Sequence, residues 1–91
     1  MEHKFNKPYE FEGDTFDKID LNLDALTGED MLAAERDFGA SGGLAAMVET
    51  SKGYLAILAA KAAKVPVEFI NGLPVKEFSK VTLAVQTFLF E

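Results

Sequence analysis

The sequence predicts an α+β fold, an N-terminal β-hairpin followed by a small bundle of about four helices, in a single domain over residues 1–91 with the hairpin in 1–24 and the helical part in 27–91. Three observations predict it. Apolar residues alternate with polar ones at both ends of the first 24 residues; from residue 27 onward their spacing changes to threes and fours; and charge is divided between the halves. Residues 1–37 hold eleven of the fifteen acidic groups and four of the nine basic ones, while residues 38–91 are nearly neutral, Ala-rich and apolar.

Phe5, Tyr9 and Phe11 share one parity, and so do Ile19, Leu21 and Leu23, with Asp20, Asn22 and Asp24 opposite. A period of two means two strands, each with one buried face. Between them Glu12-Gly13-Asp14-Thr15 supplies the Gly-Asp pair of a tight turn, and Pro8, which has no N–H, belongs where no ladder donor is needed. Thr27 then places a hydroxyl at a helix N-cap, Glu29 and Asp30 enter the positive first turn, and Leu26 and Met31 form a hydrophobic staple. This helix is predicted to run to about Phe38, with Met31, Ala34 and Phe38 inward, and to stop in the flexible joint Gly39–Gly43.

Beyond the joint, Leu44, Met47, Val48, Leu55 and Leu58 keep helical spacing, and Thr50-Ser51-Lys52-Gly53 splits them into a short helix and a second one from Tyr54 to about Lys64. Alanines 56, 59, 60, 62 and 63 let another helix approach closely, from this chain or another subunit. Val65-Pro66 breaks the pattern, a short turn or helix carries Val67, Phe69 and Ile70, and Pro74 stands at the first position of a last helix. The inward stripe of that helix is Val75, Phe78, Val81, Val85, Phe88 and Leu89, with Leu83 and Phe90 outside it as candidates for contact with a partner.

At 91 residues the chain is one domain, of a size that removes only about 60–65% of its unfolded surface on folding. The apolar helical half therefore carries more apolar surface than so short a chain easily hides, and this surplus points to a partner. With no cysteine, disulfides and thiolate metal sites are excluded and a reducing compartment suits the chain. No basic segment followed by an apolar run opens it, and no stretch approaches the roughly 18 apolar residues of a membrane span, so a soluble cytoplasmic protein is expected. A net charge of −6 repels phosphate, and Lys52, Lys61, Lys64, Lys76 and Lys80 are scattered, so no nucleic-acid partner is expected.

The residues of chemistry do not assemble into a signature. His3, the one histidine, lies in a terminus expected to fray, which leaves Ser41, Ser51 and Ser79 without a base. Asp20-x-Asn22-x-Asp24 has the alternation of a calcium loop, but Ala25 stands where glycine is needed and Met31 where the bidentate glutamate belongs; the three polar residues are expected to be the solvated face of a strand. Gly39–Gly43 lacks the Lys-Ser or Lys-Thr pair of a phosphate loop and serves better as a helix terminator. Glu10 and Glu12 share a solvent-facing strand side, and Arg36 pairs on its helix surface or with water. No catalytic, cofactor or metal residue is assigned, and an enzyme is disfavoured.

The order of these signals resembles a known family. Pro8, Phe11 and Gly13-Asp14 in a leading hairpin, Ile19-x-Leu21-x-Leu23, Leu26-Thr27-Gly28-x-Asp30-Met31 opening a helix, and then Leu73-Pro74, Phe78, Val81, Val85 and Phe88-Leu89 are similar to the small tail assembly chaperones of long-tailed bacteriophages and prophages, the group related to the Mu-like and P2-like tail proteins. The resemblance runs from about Phe5 to Leu89. It implies a non-enzymatic protein that binds the helical tape measure protein in the host cytoplasm, keeps it soluble, helps recruit tail tube subunits and leaves the finished particle. It also implies a longer form made by translational frameshifting.

The expected receiving surface for tape measure helices, or for other copies of the chain, draws on Leu55, Leu58, Val81, Val85, Phe88 and Phe90. For each of these the competing expectation is a place in the chain's own core. Two other functions remain open from the sequence: a structural tail or head-to-tail joining subunit retained in the virion, and an acidic regulator that mimics DNA.

Overall fold

The structure is a computed structural model describing residues 1–40, 42 and 51–91. It consists of strands β1 (Glu2–Phe11) and β2 (Asp14–Asp20), a 3-10 turn (Leu23–Ala25), and helices α1 (Gly28–Ala40), α2 (Lys52–Ala63), α3 (Val67–Asn71) and α4 (Val75–Leu89). This is the predicted α+β arrangement of a hairpin followed by four helices. The expected short helix over Leu44, Met47 and Val48 lies outside the described residues.

The strands pair antiparallel in a two-stranded sheet. Its turn is Glu12-Gly13 and not the expected Gly-Asp pair, because a two-residue turn that matches strand twist requires two left-handed residues, and these are the two with positive φ, 50° and 85°. The register is interrupted: Lys4 pairs with Lys18 and Tyr9 with Phe16, so β1 advances five residues where β2 advances two. Pro8, which can give no ladder bond, falls inside this bulge. The bulge changes which parity of β2 faces inward, so that Ile19 is buried and Phe16, of opposite parity, still packs against the core.

β2 also ends earlier than the alternation predicts. Leu21 N–H still bonds to Met1 C=O, but the Asn22 N–H turns to Ala62 C=O of α2, 3.2 Å away, and Leu23 enters the 3-10 turn. Leu21 and Leu23 are nevertheless both buried. Thus Asn22 and Asp24 stand at the junction with the bundle and not on a strand face.

Thr27 caps α1 as expected. Its Oγ1 accepts from Asp30 N–H, and the Asp30 carboxylate accepts in return from Thr27 N–H at 2.9 Å, a capping box with aspartate as the returning acid. Helix α1 extends through Gly39 and Ala40, two residues beyond the predicted end. It lays Ala34, Met31 and Phe38 on the core. Phe38 packs so closely on α2 that a Cβ at Gly53 would come within 2.8 Å of its ring.

Helix α2 is the centre of the bundle. Tyr54, Leu55, Ala56, Leu58, Ala59, Ala60 and Ala62 are all buried, and α1, α3 and α4 each pack against it. A helix enclosed on nearly all sides has little amphipathicity, and its alanines let three neighbours approach within one small domain. The close approach foreseen for these alanines is thus made within the chain. α2 ends in a Schellman motif, with Val65 N–H bonded to Ala60 C=O and Lys64 N–H to Lys61 C=O. Lys64 occupies the left-handed position with φ 58°.

Pro66 and Pro74 each stand immediately before a helix, at the N-cap of α3 and α4. Pro74 is thus one residue earlier relative to α4 than predicted. Its carbonyl takes the first helical bond, from Phe78 N–H at 2.9 Å. The inward stripe of α4 holds for Val81 and Val85, fully buried, and for Phe78, Phe88 and Leu89, half-buried. It fails for Val75, which is 81% exposed, because Leu73 in the preceding turn already fills the core at that end.

Phe69 of α3 binds the hairpin to the bundle. It is buried, and the rings of Tyr9, Phe11 and Phe16 meet it edge-on at centroid distances of 5.0, 5.1 and 4.9 Å, the arrangement favoured by ring quadrupoles. Tyr9 also donates its hydroxyl to Phe69 C=O at 2.9 Å. Gly72 leaves room for that hydroxyl, since a Cβ there would lie 2.6 Å from it.

Two stability outcomes follow. Phe69→Ala is expected to cost about 3–5 kcal/mol, a large share of the roughly 5–15 kcal/mol available to a domain, and to bring the urea midpoint near zero, with Phe69→Leu much milder. Lys64→Gly relieves a left-handed residue and is expected to stabilise by about 0.5–1 kcal/mol, read as a higher thermal midpoint.

Candidate functional site

Three assemblies of side chains stand out on this fold. The first is the aromatic clasp around Phe69. The second joins β1 to α4 through a buried carboxylate, and the third is an apolar trench along the outside of α4.

Glu77, in the first turn of α4, is only 5% exposed. Its Oε2 accepts the Asn6 N–H at 2.7 Å and its Oε1 lies 2.9 Å from His3 Nε2. A carboxylate accepts and cannot donate, so His3 Nε2 carries the hydrogen in this pair. His3 is therefore held, with its side chain 16% exposed, and is not frayed as the sequence suggests. The reason lies in the bulge: where β1 leaves its ladder with β2, Asn6 needs another acceptor, and Glu77 supplies it. His3 also packs edge-on against Phe5 at 5.6 Å.

The Glu77 carboxyl is held below its ordinary value, chiefly by the Asn6 N–H bond, against burial that pushes it up, with His3 and the charge of Lys80 adding to the downward shift. A depressed carboxyl contributes stability above its unfolded value, near 4.5, and loses that contribution as pH falls through the lower folded value. Glu77→Gln is expected to make the fold less sensitive to acid over that window, measured as the difference in urea midpoint between pH 7 and pH 3. An acid loss unchanged by Glu77→Gln would contradict this assignment.

The trench lies between α4 and the end of the hairpin, with a volume of about 420 Å³; Leu21, Leu23, Leu83, Ala84 and Phe88 line it, and Asp24, Lys80, Thr87 and Glu91 edge it. Leu83 is 60% exposed and Phe90, beyond it on the outer face, 54%. A larger hollow of about 740 Å³ opens between α1, α2 and α3 beside Gly42 and Gly53.

Of the six residues expected on a receiving surface, Leu55, Leu58, Val81 and Val85 are enclosed in the chain's own core, Phe88 is half-buried at the trench, and Phe90 is exposed. The four core positions come together between α2 and α4 because a central helix needs large side chains to fill the gaps its alanines leave. Leu83, which the sequence sets with Phe90 off the inward stripe as a candidate for partner contact, is exposed beside it. His3 and Glu77 escaped sequence reasoning because 74 residues separate them and the bulge that pairs them has no local signature beyond Pro8.

Asp20, Asn22 and Asp24 are exposed and belong to no metal cluster; among the described residues no group of three or more His, Cys, Asp or Glu side chains converges to hold one. Among those residues no helix is long and apolar enough to cross a membrane.

A hairpin clasped to a four-helix bundle, with apolar side chains presented along its last helix, defines a small α+β protein of the kind built around a helical face. A family model described as phage tail assembly chaperone proteins, E, or 41 or 14, matches residues 2–89. The chain belongs to that phage tail assembly chaperone family. No curated protein and no solved structure matches it.

Proposed function

We propose that this chain is a non-enzymatic carrier that binds the tape measure protein in the host cytoplasm, keeps it soluble and assists assembly of the tail tube along it. The observation that carries the reading is the family match over residues 2–89. The outer ridge of α4, where Leu83 and Phe90 are both more than half exposed, gives it a physical form. These residues are seven apart, so they stand two helical turns apart on one side. An amphipathic helix of the client presents an apolar stripe that such a ridge can cover.

In this reading Phe90 contacts the client directly, with Phe88 and Leu83 beside it. Leu55, Leu58, Val81 and Val85 act from the core by fixing α4 against α2. The acidic front, with eleven carboxylates in residues 1–37, keeps the loaded carrier from associating unspecifically. A ridge of so few residues gives weak, reversible binding, which suits a helper that must release its client to the tube.

Co-expression with fragments of the tape measure protein from the same phage tests the reading. Soluble client and its co-purification with the chain are the expected outcome. Phe90→Asp is expected to lower the affinity about tenfold or more, as for an interface anchor, with the chain's own thermal midpoint unchanged. No gain in client solubility together with no co-purification would overturn the proposal.

A further inference from the structure

We propose that the trench between α4 and the end of the hairpin takes an apolar polypeptide segment that carries a lysine or arginine, with Asp24 and Glu91 facing that cation. The inference rests on the carrier reading and adds the charge of what is carried.

The lining of the trench is apolar, built by Leu21, Leu23, Ala84 and Phe88, and Leu83 continues it onto the exposed side of α4. Two carboxylates edge it, Asp24 from the 3-10 turn and Glu91 just beyond the end of α4. Both are exposed, and among the described residues neither has an ion-pair partner. The last turn of α4 holds no basic residue. Its carbonyl end, where the helix dipole is negative and a cation is favoured, is instead followed by the like charge of Glu91.

The cations of the trench are already engaged. Lys80 stands three residues after Glu77, and its charge helps to keep that buried carboxyl ionised. The Met1 ammonium lies 3.3 Å from the Asp20 carboxylate and donates to Leu21 C=O at 3.0 Å. The unmatched charge around the apolar lining is therefore negative, and its complement has to come from the occupant. A second copy of the chain brings a net charge of −6 with it and is repelled at long range, as a nucleic acid is. An apolar stripe with a base at its edge covers the lining and the carboxylates together.

Two synthetic helical peptides test the proposal. They share one leucine–alanine stripe and differ only in flanking residues, lysines in one and glutamates in the other. Fluorescence anisotropy against the full chain at low salt is expected to show the lysine peptide bound roughly tenfold more tightly, and the gap is expected to narrow as salt is raised. Asp24→Lys combined with Glu91→Lys is expected to abolish or invert the preference. Glu10→Lys combined with Asp17→Lys makes the same change in net charge outside the trench and is expected to leave most of it. Leu83→Asp is expected to weaken both peptides, and circular dichroism of every variant is expected to match the unaltered chain.

Binding of neither peptide, equal affinity for the two, or an equal loss of preference in both double variants would each overturn the proposal. Peptide affinity that falls as the chain is concentrated would overturn it as well, by showing a second copy in the trench. The peptides contain no tape measure sequence. Loss of the charge preference therefore refutes this inference, whereas failure of the tape measure fragments to co-purify refutes the carrier reading.

Discussion

The edge-on contact of three hairpin rings with Phe69 holds the two halves of the molecule together. A two-stranded hairpin is at best marginally stable alone, and α3, at five residues, is too short to persist alone. Each supplies what the other lacks. The hairpin gives Phe69 an aromatic wall, and Phe69 gives Tyr9, Phe11 and Phe16 a reason to share one face in spite of the bulge. Tyr9 adds a directional bond to the α3 backbone, and Glu77 closes the seam from α4 by taking the amide that the bulge releases.

This junction determines what α4 can offer. Held at its first turn by Glu77 and along its inner side by Val81 and Val85 against α2, the helix has no freedom to turn its outer residues inward. Leu83 and Phe90 stay out by default. Most of the apolar surface that the composition makes conspicuous is consumed inside one copy, around the enclosed helix α2. Among the described residues, large apolar side chains remain exposed at Met1, at Leu32 on α1, at Val75 and Leu83 on α4, and at Phe90.

Much of the fold was legible because its signals are local. The Thr27 cap, the alternation of Phe5, Tyr9 and Phe11, the prolines before α3 and α4, and the apolar spacing of α4 each act within a few residues. What was hidden depends on long-range geometry. The three-residue excess in β1 cannot be read from parity, and it turned Phe16 toward the core and freed the Asn6 amide for Glu77. The candidate surface was legible only at its edge: periodicity separates Leu83 and Phe90 from the inward stripe, but it cannot tell that Leu55 and Leu58 are exhausted by a helix packed on all sides.

The central claim is that hairpin and bundle form one cooperative body, with the bulge amide of Asn6 locked to Glu77. Native-state hydrogen exchange measures this directly. The Asn6 amide is expected to exchange only through global unfolding, with the same free energy as Ala59 at the centre of α2. Exchange of Asn6 at a much lower free energy, while α2 and α4 remain protected, would show a hairpin that opens independently and would contradict the account.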